Sequence, residues 1–232
     1  MDLRCEFLGI SDCEGVAGTA VVIDVMRAFT TAAWAFHLGA GRIVLCAGVD
    51  EALRVKARLP GALALKDARP QDGFELTNSP LELRSHDLTG RTIVQRTTAG
   101  TVGAVAARGA ERLFCASFVC ARATAEAVLA GRPREVAFVV TGEDGAGDED
   151  RACAEYIAAL LADPAADPGP YLERAAASRA AETLRRRVAE KTPGVHALDI
   201  EACLEVDRFG FAMRAREEDG LLVLRPYNGL NA

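Results

Sequence analysis

Asp24 closes the apolar run Val21-Val22-Ile23, Arg27 follows it by three residues, and Thr30 and Thr31 lie just beyond. An acid delivered by the end of a buried strand can hold a metal or attack a phosphate, because ligands of open α/β sheets bind beyond the carboxyl ends of the strands. Arg27 adds a planar guanidinium fork that matches phosphate or sulfonate oxygens. The same Asp is also suited to capping the helix that follows, so both roles stand open at this point. The commonest Asp-based phosphatases carry a second acid two residues later, where this chain has Met26.

Three further segments carry suitable chemistry. Arg96-Thr97-Thr98-Ala99-Gly100-Thr101 joins an apolar strand to a helical stretch, a junction whose backbone N–H groups and hydroxyls suit an anion. It lacks the Gly-Lys-Ser/Thr of a phosphate-binding P-loop, and a turn simply capped by Thr fits it as well. Between Thr141 and Asp150 lie Glu143, Asp144, Asp148, Glu149 and Asp150, hard oxygens that suit Mg²⁺ or a solvated acidic loop equally. Asn78-Ser79-Pro80 reads as a fixed turn with exposed donors. His37, His86 and His196 have neither metal-ligand spacing nor an adjacent nucleophile, and read as structural or surface residues.

The elements that must position these groups alternate. Strands are expected at Ala20 to Val25, Arg42 to Ala47, Ala62 to Leu65, Thr92 to Arg96, Arg112 to Ala116 and Val136 to Thr141. Helices are expected at Thr30 to Leu38, Val49 to Leu59, Thr101 to Arg108, Val119 to Leu129 and Glu149 to Leu161. This pattern describes an α/β protein with a mainly parallel sheet and helices on both faces. Asp24, Thr97 and the acidic loop should then share one sheet edge. Lys66 to Thr89 interrupts the alternation as a long functional loop. Beyond Leu161 the reading is a C-terminal α+β lobe: a charged helix from Tyr171 to Lys191, a short helix at Asp199 to Glu205, and β-like runs at Phe209 to Met213 and Leu221 to Leu224. The division is residues 1–162 for the core carrying the site and 163–232 for the lobe, which packs either as an appendage or as an integral layer.

Half of the 232 residues are hydrophobic, enough for a substantial core, and 27 Lys and Arg against 33 Asp and Glu leave a net charge of −6. No basic stripe for nucleic acid results. The residues near Met1, charged and without an apolar core, do not read as a signal peptide, and no run approaches the length of a membrane span, so a cytoplasmic enzyme is expected. Seven scattered Cys without a Cys-x-x-Cys pair read as core residues of a reducing compartment. The Arg185-Arg186-Arg187 run reads as a solvated helix face.

Together the blocks Val21 to Thr31, Gly73 to Pro80, Thr97 to Thr101 and Glu149 to Ala154 resemble, in order, the 2-phosphosulfolactate phosphatase family. The resemblance implies a Mg²⁺-dependent phosphatase of the coenzyme M pathway, a small anionic phosphorylated substrate and a homo-oligomer. It also implies that Asp24, Glu149 and Asp150 bind metal or serve as nucleophile or base. By the same carry-over Arg27, Thr30, Asn78, Ser79, Arg96, Thr97, Thr98, Gly100 and Thr101 hold the substrate's anionic groups. Two departures stand out: Leu65-Lys66-Asp67-Ala68-Arg69 replaces a Gly-Glu-Arg element, and Ala99 replaces an Asn. Loss of one donor from a transition-state site costs about 2 to 4 kcal/mol, which leaves open a catalytically impaired homologue that still binds a phosphorylated or sulfonated metabolite.

Overall fold

The computed structural model describes residues 3–67 and 69–229; Ala68, within the departing Leu65 to Arg69 element, lies outside the described residues. A ten-stranded sheet runs through the described chain. Its strands are β1 (Arg4–Leu8), β2 (Thr19–Ile23), β3 (Arg42–Cys46), β4 (Leu63–Lys66), β5 (Leu76–Thr77), β6 (Thr92–Arg96), β7 (Arg112–Ala116), β8 (Glu135–Val140), β9 (Ala212–Glu218) and β10 (Leu221–Tyr227). The helices are α1 (Ala28–His37), α2 (Val49–Arg58), α3 (Gly100–Ala106), α4 (Ala121–Ala130), α5 (Asp148–Ala162), α6 (Gly169–Ala176), α7 (Arg179–Ala189) and α8 (Asp199–Leu204).

The expected α/β architecture is present, with the strand order β1-β8-β2-β7-β9-β10-β3-β6-β4-β5. Two parallel groups, β1-β8-β2-β7 and β3-β6-β4-β5, flank the antiparallel hairpin β9–β10. β2 is buried along its whole length, as a strand covered on both faces must be, which explains the unbroken apolar reading of Ala20 to Ile23. Nine of the ten α1 residues are buried as well. Phe29, Phe114, Phe118, Phe138 and Tyr156 are the largest fully enclosed side chains of the core.

Three successive antiparallel pairings, β7 with β9, β9 with β10 and β10 with β3, set the two parallel groups running in opposite directions. The single shared edge expected for the site is therefore only half correct. β8 and β2 are parallel neighbours, so their carboxyl ends do lie side by side, and the Thr141 amide donates to the Ile23 carbonyl at 3.3 Å. The end of β6 instead reaches Asp24 through the helices. Gln95 Nε2 donates 2.9 Å to the Ala28 carbonyl, and a Cβ on Gly100 would stand 2.7 Å from that of Ala28.

Other elements differ from the sequence expectation for local reasons. The single helix from Tyr171 to Lys191 is two, α6 and α7. Ser178 breaks it as the N-cap of α7, its Oγ accepting from the Ala181 amide at 3.1 Å, a cap that stabilises by about 1 kcal/mol. β1 was not anticipated because charged Arg4 and Glu6 alternate along an edge strand, while Phe7 stacks on Phe138 at 5.4 Å. The β-like run at Phe209 to Met213 is displaced to Ala212–Glu218. All seven Cys are unpaired, six of them buried. Among the described residues no helix is long and apolar enough to cross a membrane.

Candidate active site

A cavity of about 420 Å³ opens where the ends of β2, β6 and β8 meet α7. Asp24, Met26, Arg27, Asn78, Thr97, Thr98, Ala99 and Glu149 line it, so four separate sequence segments do converge. Asp67, Glu143, Asp148, Arg179, Thr183 and Arg187 complete the charged and hydroxyl lining.

Asp24 fulfils both roles that the sequence left open. Its Oδ1 accepts from the Ala28 amide at 2.9 Å, closing the first turn into α1, while the residue faces the cavity at only 8% exposure. Burial pushes its carboxyl up to about 6, and the neighbouring Glu149 and Asp67 charges add to that against the Ala28 hydrogen bond. Gly100 is required by close approach: a Cβ there would stand 2.6 Å from Asp24 Oδ2. Glu149, in the first turn of α5, is also raised, first by burial and then by Asp148 and Glu143, with its own backbone and Ser178 opposing.

Asp150 is adjacent in sequence but turns elsewhere. Its Oδ1 accepts from the Val25 amide at 2.7 Å, and its Oδ2 accepts from the Gly142 amide at 2.8 Å and the Thr141 hydroxyl at 3.2 Å. It clamps the ends of β2 and β8 together. Desolvation, followed by the Asp24 and Glu149 charges, holds its carboxyl well above the usual range.

Arg27 is 6% exposed, and its Nη1 donates to Asp199 Oδ2 at 2.5 Å and to the Gly194 carbonyl at 3.0 Å. Asp199 is fully buried at the start of α8 and also accepts from Ser79 Oγ at 2.7 Å and the His196 amide at 2.9 Å. Ser79 is thus a strut behind the cavity wall. Asn78, its neighbour, does reach the cavity, and its Oδ1 is buried without a partner.

Of the remaining expected substrate ligands, several are occupied by internal bonds. Thr30 Oγ1 donates to the Val25 carbonyl at 2.9 Å. Thr97 and Thr101 bond each other reciprocally: the Thr97 amide donates to Thr101 Oγ1 at 2.8 Å and the Thr101 amide to Thr97 Oγ1 at 3.0 Å. Arg96 and the Thr98 amide both engage Asp67, at 3.3 and 2.7 Å. The Thr98 side chain remains on the cavity wall. Lys66 donates to the Arg69 carbonyl at 2.8 Å and does not line the cavity, so among the described residues of that departing element Asp67 is the one that faces the site.

Sequence reasoning missed Asp67, Asp199 and the α7 face. Arg179, Thr183 and Arg187 recur at i, i+4 and i+8, one stripe of a helix, and this spacing was the available signal. Arg179 pairs with Glu143 at 3.3 Å, and exposed Arg187 stands on the same wall. Among the described residues no three acidic, His or Cys side chains form a ready-made metal cage. Mg²⁺ needs only one or two protein carboxylates beside water and substrate oxygens. Asp24, Glu149 and the unpartnered Asn78 Oδ1 offer such a donor set.

Fold and site together define an α/β protein with a cleft lined by carboxylates and guanidiniums. The chain belongs to the 2-phosphosulpholactate phosphatase family, whose model matches residues 10–217. It is similar to a probable 2-phosphosulfolactate phosphatase of Bacillus subtilis, 35% identical over 143 residues that cover 61% of this chain and 63% of that protein. A Deinococcus radiodurans protein of the same description is 37% identical over 165 residues, 69% of this chain and 68% of its own. A third, from Prochlorococcus marinus (strain MIT 9313), is 35% identical over 153 residues, 64% and 63% of the two chains. The matches to the Bacillus and Prochlorococcus proteins therefore span less than two thirds of those proteins' length.

Proposed function

We propose that this chain is a Mg²⁺-dependent phosphatase of a small phosphate ester carrying at least one further anionic group. 2-Phosphosulfolactate, the ester in the relatives' descriptions, is the first candidate. The observation that carries the proposal is the buried Asp24 carboxylate, raised to about 6 beside Glu149 and sharing a cavity with Arg27, Arg179 and Arg187. Such a mixed lining suits a ligand whose phosphoryl group sits among acids only when a cation accompanies it, and whose other anionic group needs guanidinium partners.

Mg²⁺ held by Asp24, Glu149 and Asn78 would neutralise phosphoryl oxygens and favour attack at phosphorus. Arg27, fixed by Asp199, presents a guanidinium whose position is settled before substrate arrives, which is the electrostatic preorganisation that transition-state stabilisation requires. Thr98 adds a hydroxyl donor, and Arg179 and Arg187 bind the carboxylate or sulfonate end. Asp150 holds the β2 and β8 ends in register behind Asp24.

The test is phosphate release from a panel of phosphorylated hydroxy acids, 2-phosphosulfolactate included, in Mg²⁺ and in EDTA. Release in Mg²⁺ that vanishes in EDTA is expected. Folded protein that releases no phosphate from any ester in either condition overturns the proposal. Ala99 favours a second reading, since its methyl lines the cavity where the resemblance expects an amide. In that reading the chain binds the ester and turns it over poorly, and calorimetric binding without turnover distinguishes it.

A further inference from the structure

The central hairpin carries a charged site that the proposed reaction does not use. In β9–β10, Arg214 stands directly across from Arg225, and Arg216 across from Val223, so strand alternation places all three guanidiniums on one face. Phe114 of β7 pairs with Arg214 on that face, and Arg112, two residues before Phe114, lies over its ring at 5.4 Å. Like charges directly opposite destabilise a sheet. The nearest acids offset them only in part: Glu218 is engaged by Arg225 through two 2.8 Å contacts, and Glu111 acts on Arg214 at longer range.

A hollow of about 260 Å³ opens over this face, lined by Arg214, Arg216, Glu218, Arg225 and Tyr227 among others. Arg214 Nε is buried and lacks a hydrogen-bond partner. Its guanidinium is held below its ordinary basicity, first by burial and then by Arg216 and Arg112. The Tyr227 ring lies 5.6 Å from the Arg214 guanidinium and supports it from one side. An oxyanion is what this arrangement lacks, since it would accept from several guanidiniums at once and relieve their repulsion.

We propose that this arginine-lined hollow binds a small phosphate-bearing anion at a site separate from the catalytic cleft, with which it shares no lining residue. A second copy of the chain fits the hollow poorly. Subunit contacts centre on apolar residues, and the exposed large apolar side chains among the described residues, Leu129 and Leu198, lie outside it. Because the hairpin joins the two halves of the sheet, an anion bound here stabilises the whole fold.

Inorganic phosphate is the probe, added in EDTA and compared with chloride of equal ionic strength by thermal melting. The wild-type melting temperature is expected to rise by several degrees, and the rise is expected to vanish in Arg214→Gln/Arg216→Gln and to persist in Arg187→Ala. If the double variant fails to fold, the exposed single change Arg216→Gln is expected to weaken phosphate binding at least fivefold by equilibrium dialysis. No phosphate-specific rise in the wild type, or an undiminished one in the Gln variants, overturns the proposal. A dimer that Arg216→Glu dissociates in sedimentation also overturns it, by assigning the hollow to a subunit contact.

Discussion

Asp24 reaches the cavity from just beyond the end of β2 and Glu149 from the first turn of α5, which follows the neighbouring parallel strand β8, whereas Arg179 and Arg187 reach it from α7, a helix on the molecule's surface. The acidic wall is buried and locked from behind by Asp150; the α7 wall is exposed, and its ion pair of Arg179 with Glu143 joins side chains 81% and 54% exposed. Exposed pairs of this kind contribute about 0 to 1 kcal/mol. Reacting atoms need fixed geometry, while a second anionic group needs only attraction and tolerance. Under the proposed function, the contrast would give chemistry to one wall and substrate selection to the other. Arg27 lies between the two cases, a cation held with the rigidity of the acids by Asp199.

The sharpest test of the contrast is Asp24→Asn, which is expected to lower kcat for metal-dependent phosphate release on the order of 10⁴-fold, measured by steady-state kinetics. Retention of more than a tenth of the rate would remove Asp24 from the chemistry. Next in size is Asp199→Ala, which leaves the Arg27 charge buried without its partner. It is expected to cost about 3 to 5 kcal/mol in denaturant unfolding, while Asp199→Asn, whose one amide oxygen can still accept from Arg27 while its amide nitrogen donates to Ser79 Oγ, costs less.

A smaller effect tests the burial of the acidic wall. Because the Asp24 pKa is raised from 3.8 to about 6, the folded state binds the extra proton between those values. The stability this supplies is present below about 3.8 and lost as pH rises through about 6, an amount on the order of 3 kcal/mol. In EDTA, Asp24→Asn is therefore expected to melt above the wild type at pH 8, with the gap closing towards pH 4. Glu149 and Asp150 are raised as well and act in the same direction. The smallest effect belongs to the other wall. Arg187→Ala is expected to raise KM about tenfold at nearly unchanged kcat, and a large fall in kcat would show that α7 enters the chemistry after all.

How much of this was legible follows from the range of the interactions. Asp24 and the acidic loop could be placed together because each follows an apolar strand and those two strands pair in parallel, and local patterning reports such strands faithfully. Asp199 could not, since its partners Arg27 and Ser79 lie 172 and 120 residues away and nothing near Asp199 marks it. The Thr97 to Thr101 segment was correctly placed at a strand–helix junction, yet the mutual capping of its hydroxyls depends on side-chain geometry that residue types do not specify. Arg187 was visible only as part of a charged run, because the break at Ser178 that turns the α7 stripe towards the cavity was hidden within a continuous helical pattern. Asp150 shows the same limit: its type suits a metal, but its hydrogen bonds make it a clamp.

The position of β9–β10 also bears on how the protein is made. Both parallel groups are translated before the hairpin that separates them in the sheet. During that interval β7 and β3 present unpaired edges, which can template pairing with other nascent chains. The candidate cleft draws its walls from both groups and from α7, so it cannot be complete on the ribosome until the hairpin has closed the gap. Those two edges are capped only once residues 212–227 have emerged and paired with them.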